Sequence, residues 1–133
     1  MTKEALREYV HLKSERVQLA RLLRELEMEM EAPSIQKMTG MPHAPSGNKS
    51  SLEAVVARHL DLMERYQNML GRIDEIQAQI EEAIASLDGV ERTLMRYRYL
   101  DGMSWNDICE AMNYSWNSVH RIHGRALAKL RNS

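Results

Sequence analysis

The sequence predicts an all-α fold: two long helices, paired as a hairpin or a coiled coil, followed by a compact three-helix module. Three observations carry this. Leu, Met, Ala, Glu and Arg are abundant, Phe is absent and Pro occurs three times, and straight-chain residues of this kind lose little rotamer freedom on a helix. Apolar residues recur at alternating steps of three and four through most of residues 1–88, the period of helices packed side by side. From Val90 to Leu130 the pattern breaks into three short amphipathic stretches separated by turn residues.

The first helix, Thr2 to about Glu31, carries a stripe of Tyr9, Leu12, Leu19, Leu23, Leu26 and Met30, with Arg16 completing the series. Thr2 and Ala5 make a poor capping box, and Pro33 disfavours helix at the residue before it and sets the stop. Residues 33–50, PSIQKMTGMPHAPSGNKS, are rich in Pro, Gly and Ser without periodicity and read as a flexible loop with an isolated His43. Ser50 and Glu53 form a capping box that starts the second helix. Its stripe is Leu52, Val56, His59, Met63, Tyr66, Leu70, Ile73, Gln77, Ile80, Ile84 and Leu87. A rod roughly 55 Å long, at ~1.5 Å per residue, cannot bury such a stripe alone. It needs either the first helix or another copy of itself. His59 and Gln77 are either polar devices that fix register or partly exposed seam positions, and Gly71 is a candidate for close approach of a partner backbone. Asp88-Gly89 ends the rod, Gly suiting the left-handed conformation of a helix terminus.

In the module, Val90, Leu94, Met95, Tyr97 and Tyr99 supply apolar surface up to Leu100 and the Asp101-Gly102 turn. Ser104 caps a two-turn helix whose stripe is Trp105, Ile108, Cys109 and Met112, with Cys109 a small core residue. Asn113 stands where a helix–turn–helix requires positive φ, which Asn tolerates best after Gly. Ser115 caps the last helix, with Val119, Ile122, Ala126, Leu127 and Leu130 facing the core. Trp116, Asn117, His120, Arg121 and Arg125, with Ser118 close by, lie on the opposite face, and His123 at the edge of the core. The domains are accordingly 1–88, a helical rod or oligomerisation region with a loop at 33–50, and 89–133, the helix–turn–helix.

Charge is divided in the same way. Residues 1–88 hold 11 Lys and Arg against 15 Asp and Glu, whereas residues 89–133 hold 7 against 4 and have no acid after Glu110. A basic end on a near-neutral chain suits a polyanion. No run of ~18 apolar residues could span a membrane. The first residues, MTKEALREYV, lack the apolar core of a signal peptide. One cysteine cannot form an intramolecular disulfide, so a reducing cytoplasm is the expected compartment. No phosphate loop, catalytic carboxylate pair or metal-spaced His/Cys set is present, which argues against an enzyme and against a cofactor. His120 and His123, at i and i+3, lack a third metal ligand nearby.

The stretch LDGMSWNDICEAMNYSWNSV, with RALAKL near the end, resembles the helix–turn–helix of the fourth conserved region of sigma-70-type factors. The whole layout, including the loop with MPHAPSG, resembles the RinA/ArpU-like late-gene transcriptional regulators of phages and prophages. The resemblance implies a last helix lying in the DNA major groove and reading bases from its first turns. It puts Trp116, Asn117, His120 and Arg121 towards bases. Ser104 and Ser115 suit phosphates, and Arg125 and Lys129 add attraction along the backbone. Trp116 departs from the family, where a charged or small residue is usual, so the family's promoter preference does not carry over. The implied partners are double-stranded DNA, RNA polymerase and further copies of the chain. The function expected is sequence-specific regulation of transcription. The alternatives are a small DNA-packaging, terminase-like recognition subunit and an adaptor that binds RNA polymerase.

Overall fold

The computed structural model describes residues 1–31 and 45–132, the backbone alone for 45–50, and these residues are all-α: α1 (Lys3–Glu31), α2 (Pro45–Ile84), α3 (Gly89–Met95), a single π turn (Arg96–Leu100), α4 (Trp105–Met112) and α5 (Trp116–Arg131). They form two compact units, one of residues 14–71 and one of residues 1–13 with 72–133.

In the unit 14–71, the long helices meet within the one chain. Leu19, Leu23 and Leu26 of α1 and Val55 of α2 are buried, and His59 Nε2 lies 3.1 Å from Glu27 Oε1. The stripe of α2 is shifted from the expected one: Leu52, Val55, His59, Leu62 and Tyr66 are covered, while Val56 and Met63 face outward. Both sets keep steps of three and four, so periodicity alone left the first half of the helix ambiguous by one position. A Cβ on Gly71 would meet nothing within 4 Å, so no backbone of the described residues approaches closely there. Pro45 opens α2, five residues before the expected Ser50. Proline needs no N–H in the first turn, and its fixed φ is already helical. Residues 45–50 are therefore helix, and the remainder of the expected loop lies outside the described residues.

The other unit holds the helix–turn–helix. Its core comprises Leu6 and Tyr9 of α1, Ile73, Ile76, Ile80 and Ile84 of α2, and Leu94, Met95, Ile108, Val119, Ile122, Ala126 and Leu130 of the module. Each Leu, Ile, Val or Met among them contributes roughly 1.5–3 kcal/mol when fully removed from water. Tyr9 donates to Gln77 Oε1 at 3.4 Å, which gives that seam glutamine a partner. The rod does not end on a left-handed glycine. Asp88 instead caps α3, accepting from the Glu91 N–H at 2.9 Å, and Gly89 is the first helical residue. Val90, expected on the apolar surface of the first module helix, is exposed. The π turn was not foreseen. It closes with Asp101 N–H donating to the Arg96 carbonyl at 2.9 Å, and Lys13 Nζ donates to the Leu100 carbonyl at 2.6 Å.

Candidate nucleic-acid interface

Two capped helices and one left-handed residue build the candidate site. Ser104, in extended conformation, accepts from the Asp107 N–H at 3.1 Å and starts α4. Asn113 stops it with φ 58° and ψ 43°. The following amide, Tyr114 N–H, donates back to Cys109 at 3.1 Å, and Asn113 N–H to Glu110 at 3.3 Å. This is the two-bond helix ending that usually takes Gly at the left-handed place. Asn fills it because its short polar side chain tolerates positive φ. Ser115 then accepts from the Ser118 N–H at 3.2 Å and starts α5, its hydroxyl also donating to Ser118 Oγ at 3.0 Å. Gly102, at φ 70°, makes the preceding turn.

These caps orient α5 so that Asn117, Arg121 and Arg125, one helical turn apart, are exposed along one stripe. Trp116, 51% exposed, stands in the first turn beside them. His120 is placed differently from the residues around it. Its ring packs against Trp105 at 4.5 Å and against Trp116 at 4.4 Å between centroids. Its Nε2 is enclosed without a hydrogen-bond partner among the described residues. Ser118 is half-buried, and both serine caps use their hydroxyls inside the protein. Lys129, expected along the DNA backbone, reaches inward instead: Nζ lies 2.8 and 2.9 Å from the two carboxylate oxygens of the buried Glu91 and 3.8 Å from Asp88. The sequence did not reveal this pair, because a glutamate three residues into a helix looks like a solvated cap. The Asp88 carboxyl is held below its usual range, chiefly by the Glu91 amide and then by the Lys129 and Arg125 charges.

Below the exposed face lies a belt of rings. Trp105 meets His123 edge-on at 4.8 Å, and Arg98 covers the Trp105 ring at 4.4 Å while donating to the Met103 carbonyl at 3.1 Å. His123 is buried, and its Nε2 is 2.7 Å from the Tyr99 hydroxyl. Burial, then the charges of Lys3, His120 and Arg98, pushes the imidazole down to about 4. The ring is thus neutral at pH 7 and accepts from the tyrosine. Burial raises the Tyr99 phenol, keeping it the donor. The HRIH pair therefore points its rings into aromatic neighbours.

Residues of α1 that sequence reasoning passed over also reach this region. Lys3, Arg7 and His11 line a cavity of about 420 Å³ together with Arg98, Trp105 and His123. The available signal was their spacing of four, on a face beside the one that carries Leu6 and Tyr9.

Residues 83–132 match the family model of sigma-70, region 4. That family is one of DNA-binding helix–turn–helix domains, and the match spans α3, the π turn, α4 and α5. No curated protein and no solved structure matches the chain. Among the described residues no helix is long and apolar enough to cross a membrane.

Proposed function

We propose that the protein is a sequence-specific, double-stranded-DNA-binding regulator of transcription, of phage or prophage type, that reads the major groove with α5. The observation that carries this is the exposed row Asn117, Arg121 and Arg125 beside Trp116, on a helix with no acidic residue and set by the turn at Asn113. Arg bonds guanine bidentately, Asn bonds adenine, and an indole edge can cover a thymine methyl. Arg121 and Asn117 are the base readers. Arg125 attracts the backbone, and the amides beside Ser104 and Ser115 hold phosphates. His120 chiefly props Trp116. Lys129, neutralised by Glu91, contributes least. RNA polymerase is a further partner on this reading, consistent with the region-4 match.

The protein works as a homo-oligomer. Val56, Leu60 and Met63 form an exposed apolar stripe on α2, with Leu60 62% exposed, and a second copy of the same rod covers it. Paired modules then meet paired half-sites. The test is binding to duplex fragments of the host or phage genome across a salt series. Affinity should fall steeply with salt, and Arg121→Ala should erase preference among sequences. Binding that ignores salt, or none to any fragment, would sink the proposal.

A further inference from the structure

Lys3, Arg7 and His11 lie outside the residues that match sigma-70 region 4, yet they belong to the compact unit that holds the module. They sit on one face of α1, all three exposed, and line the 420 Å³ cavity whose other wall includes Arg98 and Trp105. No carboxylate lines that cavity. The acids of this part of α1 do not line it: Glu8 pairs with Arg72 at 3.5 Å, and Glu4 lines a second hollow beside Gly124 and Arg131, which Lys3 borders as well. Among the described residues neither Lys3 nor Arg7 is in an ion pair. Three permanent cations thus face one space with nothing of opposite sign in its walls, an arrangement that costs Coulomb energy unless an anion enters. After burial, which is the larger cause, the Lys3 and Arg98 charges also help to hold His123 neutral.

We infer that this cavity is a phosphate site for the DNA backbone, built jointly by α1 and the start of α4. Its position selects DNA over a free anion. Trp105 is the first residue of α4, just past the Ser104 cap, and the first helix of such a pair crosses the DNA backbone while the second enters the groove. His120, on the same wall, touches Trp116 of the base-reading face. A strand whose bases meet α5 therefore has its flanking phosphates directed at Lys3, Arg7 and Arg98. The long N-terminal helix thus adds sequence-independent grip to the reader beside it.

This inference rests on the DNA-reading function proposed above, and one experiment separates the two. Duplex binding is measured across a salt series for the full chain, for Lys3→Ala/Arg7→Ala, and for Arg24→Ala/Arg65→Ala, which removes equal charge from the other unit. The first pair should lower the slope of log affinity against log salt by about 2 and weaken specific and random duplexes by the same factor, whereas the control pair should leave the slope unchanged. Both replaced side chains are exposed and Ala favours helix; should that variant unfold, Lys3→Gln/Arg7→Gln replaces it. An unchanged slope, or an equal change in the control, overturns the α1 site and leaves the α5 reading standing. No salt-dependent duplex binding by the unaltered chain overturns both. Stabilisation by inorganic phosphate that Lys3→Ala/Arg7→Ala abolishes, with the DNA slope untouched, reassigns the cavity to a free anion.

Discussion

The Lys129 ammonium sits 2.8 Å from Glu91 Oε1, tying the last turns of α5 to the first turn of α3. Glu91 is 1% exposed, so its carboxylate depends on that one lysine. Replacing Lys129 with Met would strand the charge. Breaking a buried pair costs about 3–5 kcal/mol; because Lys129 itself is half exposed, roughly 2 kcal/mol is expected. Glu91→Gln/Lys129→Met should recover most of it. Chemical denaturation of the parent and the two variants checks this, and a Lys129→Met protein as stable as the parent would refute it.

His123 makes stability depend on acid. Its folded value, about 4, lies below the ordinary ~6.5 of the unfolded chain, so the unfolded state binds the proton more readily. The contribution is complete above pH 6.5, declines as pH falls from 6.5 towards 4, and is fully lost below that. The ring borders a water-accessible cavity, so its size is on the order of 2 kcal/mol, less than the full shift would give. Thermal melts between pH 4 and 7 should fall less for His123→Phe than for the parent. Parallel curves would refute the assignment.

The two tryptophans should separate folding from recognition. Trp105 lies among His120, His123 and Arg98; Trp105→Ala should cost about 2–3 kcal/mol, at or below the usual range for a large core aromatic. Trp116 is half in solvent, and Trp116→Ala should cost under about 1 kcal/mol while weakening specific DNA about tenfold, near 1.4 kcal/mol. Melting temperature and duplex affinity together decide it; the reverse order would place Trp116 in the fold and not at the interface.

Leu60→Glu puts a charge in the middle of the exposed α2 stripe. Sedimentation should report loss of the oligomer with helix content kept, and affinity for a two-half-site duplex should drop at least tenfold through lost linkage. A chain that sediments as a monomer before the change would end the oligomer proposal.

The module was legible because its information is local. Ser104, Asn113, Ser115 and Gly102 each specify a backbone conformation by themselves, and each has the geometry their side chains dictate. The long helices were legible as helices but not in register, since Val55 and Val56 fit the same spacing and only packing chooses between them. The pairing of Lys129 with Glu91 was hidden for a different reason: a long-range ion pair between two surface-type residues leaves no periodic trace. The same holds for Lys3 and Arg7, whose neighbours in the cavity lie some ninety residues away in sequence. Pro45 misled by its usual meaning; proline breaks a helix interior but opens a helix well.

The π turn at Arg96–Leu100 has a consequence for how this segment aligns with others. A π turn is an α-helical turn with one residue added, so every side chain after it is advanced by one position along the helix face. Beside a relative with a straight helix here, the difference would read as a single-residue gap inside an otherwise ungapped helix. That gap belongs between residues 96 and 100. Placed in the Asp101-Gly102 turn, where gaps are usually put, it would mispair Arg98 and Tyr99, the two residues of that turn that touch Trp105 and His123.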